Sequence, residues 1–145
     1  MSTFYELSEH DKEKVREATE EITKISKELF NLIEKKFEET TELERQVLSA
    51  FCFGMVNVIV PLKDLPFLQT HAVTAALLIN VFKYSEDQTE DFVQELLNST
   101  DEDYHPVIFS IICRGTDGYN QYVNEQIDDL KENILEVLKI VNEDS

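Results

Sequence analysis

Hydrophobic positions recur at helical spacing almost from the start of the chain. Val15, Ala18, Ile22, Ile25, Leu29 and Leu32 follow one another at intervals of three or four residues, with Glu and Lys filling the positions between. Such a stripe, opposed by a charged face, predicts an amphipathic helix with a heptad-like seam. Ser8 and Asp11 give it a capping-box-like start, and the pattern predicts a helix to about residue 39. Thr41 and Glu44 form a second capping box. From 47 to 60 the apolar residues then cover every face, which places a second helix, about 42 to 60, in the middle of a bundle. Gly54 within it permits a neighbouring helix to come close.

Pro61 and Pro66 bracket a turn, and a third, mostly apolar helix is predicted over about 69 to 83. Ser85 and Gln88 open a short amphipathic fourth helix carrying Phe92, Val93, Leu96 and Leu97. Pro106 suits the first turn of a fifth helix, about 107 to 114, with Gly115 as its end. Gly115 and Gly118 then read as a tight link, fixed by an ion pair between Arg114 and Asp117. The last helix is expected from 117–118 to about 142, because Val123, Ile127, Leu130, Ile134, Val137 and Val141 form a second heptad-like stripe. Clusters of β-branched residues at 56–60 and 107–112 leave a strand alternative open there. The predicted fold class is all-α. It is a single-domain helical bundle of five to six helices over 1–145, with two buried central helices and long paired terminal helices.

Composition narrows the function. The 145 residues include 30 acidic and 13 basic ones, a net charge of −17. The length suits one domain with a sizeable core, and only three Gly and three Pro argue against a turn-rich β-sandwich. The charge repels phosphate backbones and anionic membrane surfaces, so neither nucleic acid nor membrane is expected as a partner. It favours a basic protein or a cation, although an acidic surface without a specific partner accounts for the total equally well. Cys52 and Cys113 lie in apolar runs without metal-ligand spacing and are expected to be buried free thiols. The polar start of the chain does not resemble a signal peptide, so the expected location is cytoplasmic. The uncharged stretch 65–82 contains Pro66, Gln69 and His71 and is read as a buried helix.

The distribution of charge is more informative than its sum. Residues 46–84 hold one acidic and two basic residues, whereas 85–105 hold eight acidic and none basic. Glu86 and Asp87 favour a helix dipole, and Asp101, Glu102 and Asp103 do the same for the next helix, yet several carboxylates remain close together without counter-charge. The candidate partner-binding residues are therefore Glu86, Asp87, Glu90, Asp91, Asp101, Glu102, Asp103, Tyr104 and His105, with Asp117, Tyr119 and Tyr122 from the glycine link. Tyrosines beside carboxylates suit protein contact, and equally suit a half-buried core position. His10 is expected in solvent and His71 in a hydrogen-bonded structural role. His105, next to three carboxylates, is a candidate for metal binding or acid–base chemistry. No metal-ligand spacing, glycine-rich phosphate loop or nucleophile elbow accompanies it, so neither an enzyme nor a cofactor is expected.

Two strings, HAVTAALLINVFKYSEDQ and LLNSTDEDYHPVIFSIICRGTDGYNQY, resemble the immunity protein 48 family, small helical immunity proteins of Gram-positive bacteria. The resemblance spans roughly 51 to 122. It rests on the FKYSEDQ helix start, the YHP step, and the turn of Arg114, Gly115, Thr116, Asp117, Gly118 and Tyr119. It implies a non-enzymatic protein that is encoded beside a toxin and neutralises it by binding, and the acidic charge makes a basic toxin the expected partner. It assigns no contact residues. The alternatives are a metal- or ligand-binding helical protein using His105, Asp103 and Glu102, and a regulatory scaffold that forms a homodimer through its heptad helices.

Overall fold

Short polar side chains set the helix starts in the computed structural model, which describes residues 8–144. Ser8 Oγ accepts from the Asp11 N–H at 3.0 Å and opens α1 (Glu9–Leu32). Thr41 and Glu44 exchange hydrogen bonds at 2.9 and 3.1 Å and open α2 (Glu42–Leu62). Ser85 and Gln88 do the same for α4 (Glu86–Asn98), at 3.0 and 3.1 Å. In each case the side chain satisfies an amide that the first helical turn leaves without a partner. α3 (Gln69–Asn80) starts without a side-chain cap. α5 is Pro106–Val123 and α6 is Ile127–Asp144. A single 3₁₀ turn, Phe37–Glu39, lies between α1 and α2, and the described residues contain no strand. The strand alternatives at 56–60 and 107–112 are thus overturned, as both stretches are helical.

The helix ends depart from expectation in an instructive way. α1 stops at Leu32, well before residue 39, because Glu34 turns left-handed at φ 56°. The Lys35 N–H then reaches back to the Phe30 carbonyl at 3.2 Å, a Schellman closure. Asp64 (φ 57°) and Glu125 (φ 60°) end α2 and α5 in the same way, through Leu65 N–H to the Val60 carbonyl and Gln126 N–H to the Gln121 carbonyl. None of the three glycines adopts a positive φ.

The glycines lie inside helices, where they allow α2 and α5 to pack at backbone distance. A Cβ on Gly54 would collide with the Ile112 carbonyl oxygen, and one on Gly115 with the Phe51 carbonyl oxygen. One on Gly118 would stand 2.6 Å from Phe51 Cζ. The expected link at 115–118 is therefore absent. α5 runs through both glycines to Val123, and the last helix begins at Ile127, ten residues later than the pattern suggested. Arg114 and Asp117 are not an ion pair. Arg114 instead crosses to α6, donating to Asn133 Oδ1 and Glu136 Oε2, both at 2.6 Å.

One buried cluster draws on all six helices, from Ala18 and Ile22 through Phe51, Leu77, Val93 and Ile112 to Leu130 and Ile134. α2 is its axis, with thirteen buried residues and with α1, α3, α5 and α6 packed around it. Its length and apolarity would also satisfy a membrane span, but four neighbours cover it here. The companion of α2 in the core is α5. α3 keeps one exposed face that includes His71, which stands in solvent. The terminal helices meet only over a short stretch. α1 packs mainly on α3 and α2, and α6 mainly on α5 and α2. Cys52 is buried as expected, and burial pushes its thiol up to about 12. Cys113 is exposed, since it points away from the α2 side of α5.

Candidate functional site

All eight carboxylate residues of the acidic segment are exposed. α4 buries Thr89, Val93 and Leu96 and turns Glu86, Asp87, Glu90, Asp91 and Glu95 to solvent. Its helix ends at Ser99, whose hydroxyl donates to the Glu95 carbonyl at 2.7 Å. The connection to α5 is then ordered from within. Asp101 Oδ1 accepts from the Asp103 N–H at 2.9 Å, and the Tyr104 N–H reaches the Asp101 carbonyl at 3.1 Å. The Tyr104 hydroxyl donates to Glu95 Oε1 at 2.6 Å, which ties the connection back onto α4 and raises the phenol above its ordinary range. Glu102 and Asp103 remain fully in solvent beside it.

His105 has a structural task. Its Nδ1 accepts from the Ile108 N–H at 3.2 Å and caps α5, with Pro106 following at the first helical position. That lone pair cannot also bind a metal or take a proton without loss of the cap. Among the described residues, no group of three or more His, Cys, Asp and Glu is arranged to hold a metal ion.

The electrostatics of this face differ from those of the rest of the surface. Elsewhere some acidic groups have cations, since Lys12–Glu9, Arg16–Glu13, Lys35–Glu44, Arg45–Glu42, Lys63–Glu21 and Arg114–Glu136 are ion pairs, whereas others such as Asp117, Asp128 and Glu132 have none among the described residues. No carboxylate between 86 and 103 has an ion pair among the described residues. Within α4 the like charges Glu86 and Glu90, Asp87 and Asp91, and Asp91 and Glu95 stand four residues apart. Each such pair destabilises a helix by roughly 0.2–0.5 kcal/mol. Glu86 and Asp87 are offset by the helix dipole, but Asp91 and Glu95 lie too far along the helix for that.

The residues from the expected glycine link divide differently. Asp117 is exposed, but it lines a separate groove between α5 and α6 with Arg114, Gln121, Asp129, Glu132 and Glu136. Tyr119 is only 7% exposed and donates to Glu21 Oε2 of α1 at 2.7 Å. Burial and that carboxylate push its phenol up to about 12. Tyr122 is half-buried and pairs with Glu28, which is also on α1. Both tyrosines therefore join α5 to α1, and only Asp117 of this group faces water freely. The structure also adds residues that sequence reading passed over. Glu42 accepts from the Tyr84 hydroxyl at 3.1 Å, and Glu42, Tyr84, Asp91, Phe92 and Glu95 line a shallow groove at the base of α4. The Thr41 cap and the Ser85 cap, each adjacent to one of these residues, were the only sequence signals that the two helix starts carry this groove.

A family model described as Immunity protein 48 matches residues 15–142. No curated protein and no solved structure matches the chain.

Proposed function

The chain belongs to the immunity protein 48 family, and from that premise we propose that it binds and neutralises a cognate toxin through the acidic face of α4 and the 101–105 connection. The observation that carries this reading is the set of solvent-facing carboxylates without cations, Glu86, Asp87, Glu90, Asp91, Glu102 and Asp103. Their mutual repulsion gives nothing back to the fold, whereas a basic partner would relieve it on binding. Opposite charge also speeds encounter, which suits an inhibitor that must capture a toxin before damage occurs. The action is binding, not catalysis, and takes place in the cytoplasm. The toxin surface that it meets is basic.

Co-expression with the toxin encoded beside this protein tests the reading. Growth arrested by the toxin should resume when the wild-type protein is present, and the two should co-purify. Continued arrest in the presence of soluble, folded protein would refute it.

A further inference from the structure

Next to the acidic connection lies an apolar groove. The start of α5 and the end of α6 form its walls, with Val107 and Ile140 as exposed rims, Ile111, Val137 and Val141 behind them, and Arg114 at one end. Val107 is 57% and Ile140 52% exposed. The groove measures about 270 Å³, below the usual range for small-molecule sites and suited to one or two inserted side chains. Its charge is settled by its surroundings. Arg114 is already paired with Glu136, so it adds no free cation. Asp101, Glu102 and Asp103 lie within one short connection of Pro106 and Val107. The groove also opens at the last turns of α6, where the unpaired carbonyls attract positive charge.

We propose that this groove is a docking site for the toxin, which inserts an apolar side chain flanked by Lys or Arg. The inference rests on the function proposed above and extends the contact beyond the acidic face. The charge complementarity commits it to a basic partner. A second copy of this chain would bring one acidic connection against another, and juxtaposed like charges cost several kcal/mol. Another exposed apolar group, Leu62, Phe67 and Leu68, lacks that complementarity. It sits in the stretch 46–84, where Asp64 is the only acidic residue. Anchors in such grooves carry a large share of interface energy, with the charged rim supplying orientation and rate.

The test is a titration of the neighbouring toxin, purified in a catalytically inactive form, against variants of the full chain. Val107→Ser with Ile140→Ser should weaken binding by tenfold or more, with the wild-type circular dichroism and melting temperature retained, because both side chains lie largely in water. Phe67→Ser with Leu68→Ser should leave the affinity within about twofold. If the groove variant binds like wild type while Glu102→Lys with Asp103→Lys still weakens binding, the docking site is overturned and the acidic face stands. If the wild type does not bind the toxin at all, the underlying function falls and the groove with it. Sedimentation of the chain alone closes the remaining route. A wild-type dimer that the groove variant dissociates would assign the groove to a second copy and overturn the proposal.

Discussion

Along the seam between α2 and α5, Gly54, Gly115 and Phe51 bring two backbones into direct contact. On α4 and the 101–105 connection, carboxylates stand in water with neither a cation nor a packing partner. The first region gains stability from every atom it buries. The second spends a little stability on repulsion. On the function proposed above, fold and recognition rest on separate residues, so substitutions in one region should leave the other nearly untouched.

The largest effect is expected in the seam. Gly115→Ala must force the Phe51 backbone aside and should destabilise by more than about 3 kcal/mol, since neither helix axis can shift cheaply in a close-packed interior. Gly118→Ala meets only the Phe51 ring and should cost about 1–3 kcal/mol. Urea unfolding measures both. A Gly115→Ala variant as stable as wild type would mean that the two backbones are not in contact.

Glu44 is a buried charge outside both regions and tests whether acidity alone distinguishes the α4 face. Burial alone would raise its carboxyl, but Lys35 Nζ at 2.6 Å and the Thr41 N–H hold it below its ordinary value. A depressed folded-state pKa contributes stability that is complete above the ordinary carboxylate value of about 4.3 and is lost as pH falls through the lower folded value. Glu44→Gln should therefore destabilise by about 2 kcal/mol at neutral pH. That difference should shrink below about pH 4. A difference independent of pH would sever the link to the charge. At the edge of the acidic face, His105→Ala should cost about 1 kcal/mol through loss of the α5 cap, read by thermal unfolding.

The smallest change has the opposite sign. Glu90→Gln with Asp91→Asn removes three like-charge contacts on α4 and should stabilise the free protein by a few tenths of a kcal/mol per contact, while weakening toxin binding. A variant that loses stability would place those carboxylates among the structural residues and break the contrast.

Much of this was legible in the chain. The caps at Ser8, Thr41 and Ser85 mark their helix starts because each is a local side-chain-to-amide bond, complete within four residues. The all-round apolar run of α2 marked the centre of the bundle, and the −8 segment marked the exposed acidic face. Two of the three glycines were misread for a long-range reason. Gly115 and Gly118 resemble helix-ending residues locally, and only the presence of Phe51 against them explains their place inside α5. The left-handed ends at Glu34, Asp64 and Glu125 are hidden for the complementary reason, as charged residues occupy positions where glycine would have advertised the stop. Tyr119 and Tyr122 take the core position that the sequence had left open beside surface contact, because the continuous helix turns both toward α1.

The separation of fold from recognition is tested most directly by measuring toxin affinity for two triple variants of equal charge change. One carries Glu90→Lys, Glu102→Lys and Asp103→Lys on the unpaired face. The other carries Glu13→Lys, Glu17→Lys and Glu20→Lys on α1, where Glu13 is already paired with Arg16. That separation predicts a loss of about 100-fold or more for the first set and less than about threefold for the second, with both variants folded. Equal losses from the two sets would contradict it, and would reduce the acidic face to a share of the net charge.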